Sequence, residues 1–135
     1  MARILGIDYG SSKVGVAIAD DETLLASPLE IIKGATLVEQ QARIKSLVLS
    51  EGIKKIIIGV PFSKDGKASA QTKKARTFID GLTKMFAPQV QVIAEDERMT
   101  TKMSQKLIAD EVHRDDDSVA AAIILQSYLD REYKR

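Results

Sequence analysis

The chain of 135 residues contains no cysteine and no tryptophan. Without cysteine it can form neither disulfides nor thiolate metal sites, so a metal ion would need other ligands. No apolar run approaches the roughly 18 residues that cross a bilayer. The first strand begins so close to Met1 that no room is left for a signal peptide. We therefore expect a cytoplasmic protein that does not contact a membrane.

The chain also lacks a large net charge: 20 Lys and Arg against 19 Asp and Glu give +1. This excludes a basic coat over the whole surface of the kind that binds nucleic acid everywhere. Locally, residues 64–76 carry five basic side chains against one acid, Asp65. Such a stretch can contact phosphates or form a solvated helix face, and the residues alone leave both open. The length predicts one domain, residues 1–135.

The spacing of apolar residues predicts an α/β fold. Strands are expected at residues 3–7, 14–18, 24–32, 56–60 and 90–94. Helices are expected from Thr36 to Gly52, before Pro88, from Thr100 or Thr101 to Ile108, and from Asp117 to about Tyr133. Three strands followed by α-β-α-β-α-α predict a mixed five-stranded sheet flanked by helices. Pro28 cannot donate to a ladder, so the third strand should lie at an edge or carry a bulge.

Acidic residues stand where several of these elements begin or end. Asp8 ends the first strand, Glu95-Asp96-Glu97 follows the fifth, and Asp115-Asp116-Asp117 precedes the last helix. Sites in open α/β sheets form beyond the carboxyl ends of parallel strands. A carboxylate in that position is costly to bury unless something compensates it. The placement predicts a carboxylate cluster of the kind that binds hard divalent cations.

Each acidic segment also has a structural explanation. Asp8 could form an Asx turn, the three aspartates could cap the last helix, and residues 95–98 could be a surface ion-pair cluster. His113, the only histidine, is expected to be solvated, and Phe62 is expected to pack rather than stack on bases. The functional interpretation therefore depends on the acids meeting in one place.

Several motifs follow one another along the chain. They are Gly6-Ile7-Asp8-Tyr9-Gly10 with Lys13-Val14-Gly15-Val16-Ala17, Ile58-Gly59-Val60-Pro61 with Asp65-Gly66, Asp96-Glu97-Arg98-Met99-Thr100-Thr101, and Asp117-Ser118-Val119-Ala120-Ala121 with Ile124-Leu125-Gln126-Ser127-Tyr128-Leu129. In this order, and over essentially the whole chain, they resemble the YqgF (RuvX) family.

The resemblance implies an RNase H-like fold, shared with Holliday junction resolvases of the RuvC type. It implies a role in maturing the 5′ end of 16S ribosomal RNA in the bacterial cytoplasm, with resolution of branched DNA as the older proposal. By motif position, Asp8, Glu97 and Asp117 are the implied acidic triad. The link between Val112 and Asp117 is shorter and less basic than relatives commonly carry, which leaves open whether Asp116 or Asp117 faces the site.

These residues lead to a hypothesis of metal-assisted phosphodiester hydrolysis. Asp8, Glu97 and Asp117 would be both the catalytic residues and the ligands of two Mg²⁺ or Mn²⁺ ions, about 4 Å apart and bridged by Asp8. The residues expected to bind the substrate are Lys13, Lys64, Lys67, Lys73, Arg76, Arg98 and Thr100. Because aromatic residues are few, recognition should favour backbone shape over base sequence.

Two other functions remain open. The first-strand pattern also resembles the phosphate loop of actin-like and sugar-kinase ATPases, but those enzymes need a second, duplicated domain, which we do not expect here. The chain could instead be a non-catalytic RNA-binding assembly factor with a vestigial site. The sequence does not decide between RNA and branched DNA as substrate, and it indicates no oligomeric state.

Overall fold

A computed structural model of the chain contains one mixed sheet of five strands in the order β3-β2-β1-β4-β5. It describes residues 2–10, 12–34, 36–63, 65–112 and 116–133. The strands are β1 (Arg3–Tyr9), β2 (Lys13–Asp20), β3 (Ser27–Lys33), β4 (Ile53–Val60) and β5 (Gln91–Asp96). β1 runs antiparallel to β2 and parallel to β4, and β5 runs parallel to β4. The predicted mixed five-stranded sheet is confirmed.

The helices are α1 (Leu37–Glu51), α2 (Ala70–Phe86), α3 (Lys102–Glu111) and α4 (Asp117–Glu132), with a 3-10 turn at Glu97–Met99. Thr36, the expected start of α1, forms a capping box with Glu39. Gly52 ends this helix in the left-handed conformation, with φ 65°, which glycine adopts without steric cost.

The third strand lies at the edge of the sheet, and its register against β2 shifts next to Pro28. Both expectations from this proline are confirmed. The strand begins at Ser27, three residues later than predicted, because the preceding backbone bonds to α4 instead of β2. The Gln126 side chain accepts from the N–H of Ala26 and donates to the carbonyl of Leu24.

One face of the sheet is covered by α1 and α2, and its core consists of large side chains such as Ile7, Val16 and Phe78. Two large apolar side chains of these helices are 41% exposed, Leu37 and Met85. Leu37 lies in the first turn of α1, and Phe86 takes the inward position at the end of α2.

The opposite face is covered by α4, with Ile108 of α3 packed against it. Several of the strand residues on this face are small, such as Gly6, Ala17 and Ala19, and they let the helix approach the sheet backbone closely. A Cβ at Gly6 would lie 2.6 Å from the Cβ of Leu125 and 2.9 Å from the carbonyl oxygen of Ala121. This close approach brings the first turn of α4 to the carboxyl end of β1.

Candidate active site

Asp8 lies near the end of β1 on the face that α4 covers. Alternation along the strand places its side chain on the same side as that of Ile4, which packs in the α4 core. Its neighbours in the sheet are Gly15 of β2 and Gly59 of β4. Because neither neighbour has a side chain, the space on both sides of the Asp8 carboxylate is open to groups from other elements.

On the Gly15 side, that space is taken by the start of α4. A Cβ at Gly15 would lie 1.9 Å from the main-chain oxygen of Asp117. Asp116 is the N-cap of the helix, and its carboxylate accepts from the N–H groups of Ser118 at 2.9 Å and Val119 at 3.2 Å. Asp117 lines the pocket around Asp8. The two neighbouring acids therefore differ: Asp116 caps the helix, and Asp117 lies in the pocket. Asp115 lies outside the described residues.

On the Gly59 side, the space is taken by Glu97. A Cβ at Gly59 would lie 3.1 Å from Cγ and 3.2 Å from Oε1 of this side chain. The other two acids of the cluster have different partners. Glu95 is only 4% exposed and accepts two hydrogen bonds from Arg131, at 2.8 and 2.6 Å. Asp96 binds the guanidinium of Arg98, with the shortest distance 2.6 Å. Ion pairing therefore explains two of the three acids, and Glu97 faces the pocket.

The resulting pocket has a volume of about 460 Å³. Its lining residues are Asp8, Tyr9, Gly10, Ser12, Lys13, Pro61, Gln71, Glu97 and Asp117. Sequence reasoning missed Ser12 and Gln71. Ser12 belongs to the turn directly after β1, and Gln71 lies in the first turn of α2, after the loop that was expected at this edge. Including the turn directly after β1 would have found Ser12, and including the first turn of the helix that follows the β4 loop would have found Gln71.

The acids of the pocket disturb one another's ionisation. Burial raises the pKa of Asp8, and the nearby charge of Asp117 raises it further, although a hydrogen bond with Glu97 lowers it. Burial and the adjacent Asp8 carboxylate raise the pKa of Glu97 to about 7. Two carboxyl groups this close share a proton more readily than they both ionise. A divalent cation would replace that proton, since it neutralises both charges.

The donor set suits a hard cation, because carboxylate oxygens are the ligands that Mg²⁺ and Mn²⁺ prefer. Among the residues that the structure describes, no group of three or more acidic or histidine side chains is already arranged to hold a metal ion. Asp8 and Glu97 are instead hydrogen-bonded to each other. A bound cation would displace the proton of this hydrogen bond.

The residues expected to bind the substrate lie at different distances from this pocket. Lys13 lines it directly. The guanidinium groups of Arg98 and Arg76 both contact the ring of Phe62, with their Cζ atoms 5.2 Å and 5.5 Å from its centroid. Phe62 thus packs as expected, but against two guanidinium groups. These two arginines form a basic edge beside the loop that follows β4.

The remaining candidates are more remote. Lys67 and Lys73 are exposed and do not line the pocket, and the Lys67 ammonium lies 3.9 Å from the Asp65 carboxylate. Lys64 lies outside the described residues. The Thr100 hydroxyl donates to the carbonyl oxygen of Glu97 at 3.1 Å. Thr100 therefore fixes the turn that carries Glu97 and does not line the pocket.

Comparison with known proteins shows which family the chain belongs to. A sequence model of the family described as "RuvX: Holliday junction resolvase" matches residues 2–131. The chain belongs to the RuvX family. This family membership places it among nucleases, the enzymes that hydrolyse phosphodiester bonds.

Two relatives are named as candidate pre-16S rRNA nucleases. The one from Endomicrobium trichonymphae is 32% identical, with 96% of each chain covered, and the one from Halothermothrix orenii is 38% identical, with 98% of this chain and 97% of the relative covered.

Among solved structures, Thermus thermophilus RuvC in complex with a Holliday junction substrate has the same fold as this RuvX family member. The TM-score is 0.71 at 13% identity, with 99% of this chain and 97% of RuvC covered. The RNase H-like fold expected from the resemblance is thereby confirmed. Within the ranges described, no helix has the length and apolar content needed to cross a lipid bilayer.

Proposed function

We propose that this RuvX family member is a divalent-metal-dependent nuclease of the cytoplasm that cleaves the precursor of 16S ribosomal RNA to form its 5′ end. The observation that carries the proposal is the position of Asp8 between two glycines, with Asp117 on one side and Glu97 on the other. Three acids far apart in the sequence line one pocket. The names of the relatives indicate the substrate.

Asp8, Glu97 and Asp117 would hold two Mg²⁺ or Mn²⁺ ions, which supply an activated water and neutralise charge on the leaving oxygen. Asp8 lies between the other two acids, so it is the residue that we expect both ions to share. Gly15 and Gly59 leave the room for this arrangement. Burial of the carboxylates raises the pKa of Asp8 and of Glu97, so a proton competes with the cation at acidic pH and is exchanged for it more readily above neutral pH.

Basic side chains at the rim would hold the phosphate backbone of the substrate. Lys13 lies in the pocket itself, next to where a scissile phosphate would meet the acids. Arg98 is fixed by Asp96, so it presents its guanidinium with little loss of side-chain freedom. We propose that further residues extend this contact along the RNA backbone: Arg76, Lys67, Lys73, Lys64 and Thr100. Such contacts position the RNA without reading its bases.

The experiment compares precursor 16S ribosomal RNA and a four-way DNA junction, each incubated with the purified protein in the presence and absence of Mn²⁺. We expect Mn²⁺-dependent cleavage of the RNA by the wild type and by Asp80→Asn, a control that neutralises an exposed acid on α2. Asp8→Asn should leave the RNA intact while keeping the wild-type circular dichroism spectrum. Equal cleavage by Asp8→Asn would refute the catalytic role of the acids.

A second function is favoured by the description of the family, Holliday junction resolvase. In that case the same acids would cut the four-way junction, and the precursor RNA would remain uncut. A third outcome would identify a binding factor: no cleavage of either substrate, with RNA bound equally well by the wild type and by Asp8→Asn. The two substrates therefore separate the three functions in one assay.

A further inference from the structure

A second cavity, of about 310 Å³, adjoins the pocket of the acids. Its lining residues are Glu97, Thr100, Gln105, Ala120, Ile123 and Ile124. Glu97 lines both cavities, so the two cavities meet at this residue. Ile124 also reaches toward the site, because a Cβ at Gly59 would lie 2.5 Å from its Cδ1. A substrate phosphate held by the acids would thus place the neighbouring nucleotide at the entrance of this cavity.

The chemistry of the cavity suits one flat, unpaired base. Three side chains of α4, Ala120, Ile123 and Ile124, form an apolar surface, and Ile124 is only 3% exposed. The volume lies within the usual range of small-molecule pockets. Bases that are taken out of a stack are commonly held between apolar or aromatic side chains and identified by hydrogen bonds to their edges.

One polar side chain at the rim is available for such hydrogen bonds. Gln105 lies on α3 and is exposed, and its amide group has no hydrogen-bond partner among the residues that the structure describes. The hydroxyl of Thr100 already donates a hydrogen bond to the carbonyl oxygen of Glu97. A glutamine amide offers one donor and one acceptor side by side, which matches the N6 amino group and N7 of adenine.

We infer that this cavity binds the base of the nucleotide next to the cleaved phosphate and that Gln105 makes adenine the preferred base there. The inference rests on the proposed nuclease function, because the cavity meets the pocket of the acids at Glu97, one of the residues proposed to act on the phosphate. It adds one base-specific contact to recognition that otherwise uses the phosphate backbone. The substrate must be single-stranded at that nucleotide, since a paired base presents neither face to α4.

The test has a cleavage arm and a binding arm. In the first, an RNA pool with random sequence in a single-stranded stretch is cut in Mn²⁺, and the bases on both sides of each cut are counted by sequencing. In the second, the cleavage-defective variant Asp8→Asn binds short single-stranded RNAs that differ only by adenine or uracil at one position. Both arms compare Gln105 with Gln105→Ala, and Gln91→Ala serves as the control. Gln91 is exposed at the opposite end of β5 from Glu97.

We expect adenine to be enriched at one position beside the cut, and adenine-containing RNA to bind about five- to tenfold more tightly than its uracil counterpart. Gln105→Ala should remove both differences while cleavage of the pool continues, and Gln91→Ala should keep both. Cleavage without any base preference, or a preference that survives in Gln105→Ala, would overturn the inference and leave the nuclease function standing. Adenine-selective binding without cleavage would support the cavity and refute the nuclease.

Discussion

The two faces of the sheet are built from different side chains. The face under α1 and α2 is filled by large residues, with Val14, Val16 and Ile58 fully buried. On the face under α4, the residues alternating with them include Gly15 and Gly59, which leave room beside Asp8. One face therefore supplies most of the large core side chains. The other face lacks side chains at two positions, and two further acids occupy the space beside Asp8. The comparison shows that missing side chains define the candidate site as much as the acids do.

The largest effect is expected from adding a single carbon to the α4 face. In Gly15→Ala, the new Cβ would lie 1.9 Å from the main-chain oxygen of Asp117, so the start of α4 must move. We expect a loss of about 3 kcal/mol in the free energy of unfolding and loss of cleavage, measured by urea denaturation and the precursor RNA assay.

Its matched control changes the adjacent residue on the other face. Val16→Ala removes two buried carbons and should cost about 2 kcal/mol while the folded protein keeps its cleavage rate. If Gly15→Ala cleaved as fast as Val16→Ala, the space beside Asp8 would have no role in the site.

The next effect concerns Glu95, the structural member of the acidic cluster. Arg131→Ala removes both hydrogen bonds to this buried carboxylate. Because a charged group is then left buried without its partner, we expect a loss of about 2 kcal/mol. Arg131 is 38% exposed, which keeps the effect below that of a fully buried pair. Mn²⁺-dependent cleavage by the folded variant should match that of the wild type, and a large loss would mean that Glu95 belongs to the site.

Between pH 4.5 and 7, the pH dependence of stability should come from the acids on the α4 face of the sheet, Glu97 and Asp8. The pKa of Glu97 is raised from 4.5 to about 7 in the folded protein, so the folded state holds this proton more tightly than the unfolded state. Metal-free stability should therefore fall as pH rises from 4.5 to about 7, and Asp8 acts in the same direction. Thermal melts in a chelator, from pH 4.5 to 8, would show the slope.

Glu97→Gln should flatten this slope, whereas Glu111→Gln, at an exposed position on α3, should leave it unchanged. A metal-free protein that grew more stable across this pH interval would contradict the shared proton between Asp8 and Glu97.

The smallest effect is expected at the rim. Lys13→Ala removes one proposed phosphate contact and should weaken RNA binding by a similar factor for all sequences. The slope of log affinity against log salt should fall by about one, as measured by fluorescence anisotropy at several salt concentrations. Lys33→Ala, which removes an exposed lysine opposite Lys13 in the β2–β3 register, is the control. An identical slope for the two variants would exclude Lys13 from the RNA contact.

Much of this architecture could be predicted from local patterns in the sequence. The strands, the edge position of the strand with Pro28, and Asp8 at a strand end follow from apolar runs and proline chemistry. The different roles of residues 95–97 could not be predicted in this way. Their spacing of two would put Glu95 and Glu97 on one face of a continued strand, but Glu97 begins a 3-10 turn. Only Arg131, 36 residues away, determines that Glu95 is the one held in an ion pair.

The role of Gly15 and Gly59 could not be predicted from the sequence either. Small residues alternating along β2 are visible in the sequence, but their function depends on the register that places Gly15 beside Asp8. In the same way, Asp116 and Asp117 cannot be distinguished by composition. The first helical hydrogen bonds decide which of them caps α4, and those depend on where the chain enters the helix.

The most direct test of the central claim is a calorimetric titration of Mn²⁺ into the wild type, Asp8→Asn and the Asp80→Asn control at pH 7.5. If the acids around Asp8 form a cation site, the wild type and Asp80→Asn will bind Mn²⁺ with the same affinity, and Asp8→Asn will show no saturable heat. Equal Mn²⁺ affinity in all three proteins would contradict the account.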